Sequence, residues 1–199
     1  MLKKVFFLLL ILGFGLSSYA QRLTLGPKVG ILQSSLTTNM DSLNAAAKQN
    51  LEIGVFARIS GKAFFIQPEM IYLTKGGIIE NASHTVKQEV EIQAIDVPVL
   101  LGLKIGTGKL NVHLNAGPVF SIPVNKTIKT TYGASFLKEQ DFTNFNTSLQ
   151  AGAGIDVWFL ILDVRYQYEW KSMYSGTGTA QGLNMNESNF NISLALKLF

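Results

Sequence analysis

Leu162-Asp163-Val164-Arg165-Tyr166-Gln167-Tyr168-Glu169-Trp170-Lys171 alternates apolar and polar side chains without a break over ten positions. Side chains two apart in an extended chain point the same way, so this stretch is a β-strand with one greasy and one charged face. The pattern recurs in Leu51-Glu52-Ile53-Gly54-Val55-Phe56-Ala57-Arg58-Ile59-Ser60, in Leu110-Asn111-Val112-His113-Leu114-Asn115-Ala116, and in the runs 149–157 and 190–198. Filling in the remainder predicts eight strands, near 22–32, 50–60, 63–74, 90–105, 109–122, 148–158, 161–172 and 189–199. The fourth contains a phase slip, with Glu89, Glu91 and Gln93 in one register and Asp96, Gly102 and Lys104 in the other; a bulge near Ala94-Ile95 would reconcile them.

The connections decide between barrel types. Strands two and three join at Gly61-Lys62, four and five at Gly106-Thr107-Gly108, six and seven around Phe159-Leu160, all tightly. The other four connections, 33–49, 75–89, 123–147 and 173–188, are long and rich in Ser, Thr, Asn and Gly. Short turns at one end and long loops at the other are the habit of outer-membrane barrels. The fold class expected is therefore all-β, an eight-stranded antiparallel up-and-down transmembrane barrel with both mature termini in the periplasm.

A strand of ten residues, rising about 3.3 Å each and tilted about 45°, covers the roughly 25 Å apolar band of such barrels. Outward sets fit lipid: Leu51, Ile53, Val55, Ala57 and Ile59; Val97, Val99, Leu101 and Leu103; Ile192, Leu194, Leu196 and Leu198. Phe64 and Phe159 fall by the short turns, and Tyr72, Phe120, Tyr168 and Trp170 toward the long loops, as two aromatic girdles would. The inward phase carries Lys28, Arg58, Lys104, Arg165, Lys171 and Lys197 against Glu52, Glu69, Asp96, Asp156, Asp163 and Glu169. An eight-stranded interior is just wide enough for side chains to fill, and unpaired buried charge is costly, so these twelve are expected to pair across the lumen. Gly26, Gly30, Gly54, Gly102, Gly152 and Gly154 share that face and leave room for the long chains.

The chain has 199 residues, 47% hydrophobic and 15% charged, with no Cys and a formal charge of +4. Met1-Leu2-Lys3-Lys4, the apolar run Val5 to Leu12 and Ser18-Tyr19-Ala20 read as a secretory signal peptide over 1–20, leaving 21–199 as one barrel domain. Without Lys3 and Lys4 the balance is 15 − 13, or +2, and no basic cluster marks a nucleic-acid surface. Absence of Cys excludes lipid anchoring through that residue and any disulfide staple.

The ordered series Tyr19-Ala20-Gln21, Leu25-Gly26-Pro27-Lys28-Val29-Gly30, Ile66-Gln67-Pro68-Glu69-Met70-Ile71-Tyr72, Ile95-Asp96-Val97-Pro98-Val99-Leu100-Leu101, Gly152-Ala153-Gly154-Ile155-Asp156 and Asp163-Val164-Arg165-Tyr166-Gln167-Tyr168 resembles the PorT-type outer-membrane β-barrel family of Bacteroidetes. The resemblance spans the mature chain. It implies an eight-stranded outer-membrane barrel, in some members tied to protein secretion or envelope assembly, with no catalytic set. Glu69, Asp96, Pro98 and Arg165 match family positions, and the resemblance makes these carboxylates and the arginine architectural. Phe199 resembles the terminal aromatic read by barrel-insertion machinery, although its phase is opposite to Leu196 and Leu198.

Candidate chemistry is sparse. His113 lies on the polar face of strand five, and a catalytic role would need an oriented carboxylate and a reachable substrate. His84 lies in a loop with no ligand at metal spacing, Gly176-Thr177-Gly178-Thr179 is a loop tip, and Asp41-Ser42-Leu43 resembles an O-glycosylation acceptor as well as a turn. Tyr132, Phe136, Phe142 and Phe145 in the third long loop form either a lid or a contact surface. No catalytic residue, cofactor or metal is expected. The partners expected are outer-membrane lipid, the insertion machinery during biogenesis and an envelope or secretion protein, the barrel itself being a monomer. The rivals are a lipid-modifying enzyme or a small channel in the same scaffold, and a soluble periplasmic lipocalin-like binding barrel.

Overall fold

A computed structural model describes residues 22–38, 43–81, 87–107, 109–132, 145–169 and 185–198. The strands are β1 Arg22–Thr38, β2 Leu43–Ser60, β3 Phe64–Asn81, β4 Lys87–Thr107, β5 Leu110–Tyr132, β6 Asn146–Val157, β7 Leu160–Tyr168 and β8 Met185–Leu196. Each pairs antiparallel with its neighbours in sequence, and β1 pairs with β8, so the sheet closes into an eight-stranded barrel with no free edge. The signal peptide expected over 1–20 lies outside the described residues.

Alternation sets the inside and the outside. Even positions of β1, β2, β4 and β6 and odd positions of β3, of β5 as far as Pro123, and of β7 and β8 turn inward over the body of the barrel, so Lys28, Glu52, Glu69, Asp96, Asp156, Asp163 and Arg165 are all buried. The opposite face exposes Leu51, Ile53, Val55, Leu101, Ile192 and Leu194, with Phe64 and Phe159 at the short-turn end, Tyr168 at the far end of β7, and Tyr72 and Phe120 midway along the lengthened β3 and β5. A water-soluble barrel would bury that apolar set; here it faces outward in a continuous belt. Trp170 lies outside the described residues.

The tight connections lie close to where the sequence places them, with the β4–β5 turn falling between Thr107 and Leu110 and the β6–β7 turn before Leu160. Gly61 N donates to Phe64 O at 2.8 Å across the β2–β3 turn, and Gly106 takes the positive φ of 128° that a chain reversal demands near the end of β4. Between β6 and β7 the two-residue turn is Trp158-Phe159, with Trp158 at φ 52°. Two-residue hairpins need a left-handed residue, and the indole is compensated by the Lys109 ammonium 4.7 Å from its ring centre and by its own backbone N donating to Lys109 O at 2.8 Å.

Three expectations need correction. Several strand ends move: β1 reaches Thr38, β2 starts at Leu43, β3 reaches Asn81 and β5 reaches Tyr132, so the first three long connections are shorter than expected, whereas β7 stops at Tyr168 rather than 172 and β8 at Leu196 rather than 199. Backbone pairing continues above the apolar belt, where no hydrophobic alternation is needed to signal it. The phase slip in β4 is not a slip: Val90, Ile92, Ala94, Asp96 and Leu100 are buried in one unbroken phase, and Glu89, Glu91 and Gln93 face outward. The bulge lies at that height but on the partner, because Gln93 pairs with Asn125 and Ala94 with Pro123, leaving Val124 of β5 as the extra residue. Finally, the interior is layered rather than uniformly ionic, with Leu32, Ile71, Leu73 and Ala94 forming one apolar cluster and Phe56, Ile161 and Ala195 another.

Candidate functional site

Lumen side chains from six strands form a connected chain of ion pairs. Glu69 on β3 is its hub: Lys28 Nζ from β1 lies 2.9 Å from Oε2, Arg165 Nη1 from β7 lies 2.9 Å from Oε1, and Gln67 donates to the same carboxylate. The other arm of the Arg165 fork reaches Asp163 Oδ2 at 2.9 Å. Asp163 Oδ1 is 2.8 Å from His113 Nε2, and His113 Nδ1 is 3.2 Å from Asp156 Oδ1, within ion-pair distance though off the line of a hydrogen bond. Arg58 Nη1 holds both oxygens of Asp156 at 3.0 and 2.9 Å, Arg58 Nε donates to Gln67, and Lys197 Nζ lies 3.1 Å from Asp156 Oδ2. The chain thus runs Lys28, Glu69, Arg165, Asp163, His113, Asp156 and on to Arg58 and Lys197.

A second cluster lies apart from it. Lys75 Nζ is 3.0 Å from Glu169 Oε1 and 3.6 Å from Asp96 Oδ2, while Asn146 donates to Glu169 Oε2 at 2.5 Å. Glu52 accepts from Asn191 at 3.2 Å on both oxygens. Glycines open the space these chains occupy: a Cβ on Gly154 would stand 2.6 Å from the His113 ring, and one on Gly152 2.6 Å from Arg165 Cγ. Moving an ion from water into such an interior costs several kcal/mol, and cross-barrel pairing with further hydrogen bonds offsets it.

The structure therefore brings together Lys28, Arg58, Glu69, Asp156, Asp163, Arg165 and Lys197 in one network, and Asp96 with Glu169 in the other. Lys104 is half-buried near the short turns, and Lys171 lies outside the described residues. Lys75 belongs to the lumen and escaped the sequence reading. The inward positions of β3 step by two from Phe65 to Lys75, and ending that strand at 74 cut the step one short. Neutral lumen groups, Asn115, Gln150, Gln167 and Asn191 among them, were likewise passed over because charge rather than phase was followed.

Of the loop aromatics, Tyr132 is the last residue of β5, while Phe136 and Phe142, like His84 and Ser42, lie outside the described residues. Phe145 is described, and it is exposed. It stacks on Phe120 with ring centres 6.4 Å apart and planes at 20°, just before β6 begins at Asn146 beside Phe120.

A model of the outer membrane protein beta-barrel domain matches residues 17–170, most of the chain that builds this barrel. The chain belongs to that family. Among solved structures, this outer membrane beta-barrel domain is similar to neisserial surface protein A at 9% identity and a TM-score of 0.51, covering 87% of this chain and 97% of that one. Lower scores relate it to Ail, the attachment invasion locus protein of Yersinia pestis (12% identity, TM-score 0.40, 88% and 98% covered), and to the outer membrane enzyme PagL (9%, 0.46, 84% and 98%). At these identities the likeness concerns the fold. No curated protein sequence matches the chain.

In this outer membrane barrel His113 has no exposed surface, both ring nitrogens face aspartates, and Phe65 meets the ring edge-on at 5.6 Å. A general base has to reach a substrate proton directly or through one water. Two carboxylates flanking a sequestered imidazole make it a link in the ion-pair chain.

Proposed function

We propose that this outer membrane barrel is a non-enzymatic, monomeric envelope protein whose lumen is a structural plug and whose contacts with partners are made through the long connections. The resemblance to the PorT-type family gives the setting: envelope assembly or protein secretion, with the exported chain freed of residues 1–20, inserted by the barrel machinery and left with both ends in the periplasm. The observation that carries the reading is the occupied lumen, in which Arg58, Glu69, His113, Asp156, Asp163 and Arg165 are each at most 4% exposed and joined end to end.

Planar-bilayer recording of the refolded chain tests the plug, with no discrete conductance steps expected; regular single-channel openings would replace this reading with the small channel. His113→Ala tests the enzymatic rival. Lipid extracted from cells carrying the variant should match that from cells carrying the unaltered protein, and a changed acylation pattern would overturn the non-enzymatic reading.

A further inference from the structure

We propose that the short-turn mouth of the barrel is a binding site for a phosphate-bearing ligand. A cavity of about 600 Å³ opens there, lined among the described residues by Arg58, Lys104, Lys109 and Lys197 with Asp156 as the one carboxylate. Among the described lining residues four cations stand against one anion, a local excess of +3 around a space large enough for more than an ion. Asp156 is already engaged by Arg58, Lys197 and His113. Like charges gathered round one concavity with low-dielectric walls raise the local potential, and an anion seated among them relieves their repulsion.

A second observation points the same way. Arg58 is 2% exposed, and its Nη2 has no hydrogen-bond partner although Nη1 and Nε are both used. That nitrogen has essentially no accessible surface, so Arg58 adds a fixed positive charge behind the cavity wall and leaves direct contact with a ligand to the lysines. The donor set suits a phosphoryl group better than a carboxylate. The ammonium groups of Lys104, Lys109 and Lys197 come from three separate parts of the chain, and a phosphate monoester offers three terminal oxygens to meet them. The rim adds an apolar element: Trp158, Phe159 and Leu198 also line the cavity and are more than half exposed on the outer face. The site thus opens where a phospholipid places its phosphate above its acyl chains, and free phosphate shares the same chemistry.

The test uses the full mature chain, refolded in a phosphate-free maltoside detergent, with Trp170→Phe so that Trp158 is the only indole. Indole fluorescence is followed while short-chain phosphatidic acid, and separately inorganic phosphate, is added. A saturable change with phosphatidic acid alone assigns the lipid headgroup as ligand; saturation with both assigns the free phosphoryl group; saturation with neither overturns the proposal. The variant Lys104→Gln/Lys109→Gln should weaken the binding at least tenfold and flatten its salt dependence, and unchanged affinity would also overturn it. The difference in gel mobility between heated and unheated samples reports that the variant has folded.

Discussion

Arg165 spans two carboxylates on different strands, with one arm on Glu69 and the other on Asp163, and it is 1% exposed. Removing one member of a buried pair leaves its partner charged and poorly solvated, at a cost of about 3–5 kcal/mol. Arg165→Met should therefore lower unfolding stability in lipid vesicles by about that amount, read from urea titration of the folded, fast-migrating band. Arg165→Lys should recover part of the loss, because an ammonium restores the charge but lacks the planar fork that meets two carboxylates at once. Equal losses for the two variants would show that shape, not charge, governs the site. At this scale the sequence was informative wherever a charge stood in phase with its neighbours, as for Lys28, Asp163 and Arg165. What it withheld was the pairing: Glu69 and Arg165 are 96 positions apart, and no local pattern announces that they meet.

A strand in this molecule has two halves with different surroundings. On β4 the short-turn half turns Val97, Val99, Leu101 and Leu103 outward, while the half toward the long connections turns Glu89, Glu91 and Gln93 outward and buries Val90 and Ile92. The change of polarity on both faces, with no change of phase, is what resembled a slip in the sequence. Alternation reports where lipid ends, and backbone pairing does not end there, so strand lengths were less legible than strand existence. The same division predicts unequal tolerance of charge. Val55, mid-belt on β2 and 55% exposed, should lose about 2–4 kcal/mol on replacement by Arg, whereas Gln93→Arg should cost only about 0–1 kcal/mol. Side-by-side urea titration in vesicles checks the contrast, and comparable losses would place the hydrocarbon boundary elsewhere on the barrel.

For the molecule as a whole, closure matters more than any single contact. β1 pairs with β8 from Lys28 opposite Ala195 to Thr38 opposite Met185, so the first and last strands hold each other and every backbone ladder is completed inside the barrel. A closed eight-stranded wall with a filled interior has two ends and no other surface open to water. The ends differ: one bears the tight reversals at Gly61-Lys62-Ala63 and Trp158-Phe159, the other the connections between Thr38 and Leu43, Asn81 and Lys87, Tyr132 and Asn146, and Tyr168 and Met185. If the longer connections face the cell exterior, a protease added to intact cells should cut within those four segments and leave all three tight turns, the one between Thr107 and Leu110 included, whole. The outcome is read by mapping the fragment termini, with permeabilised cells as the control in which the short-turn end also becomes accessible. Cuts at Lys62 in intact cells would turn the barrel over, and would move the cationic mouth formed by Lys104, Lys109 and Lys197 from the periplasmic leaflet to the outer one. The orientation thus decides which leaflet's phosphates that mouth could meet.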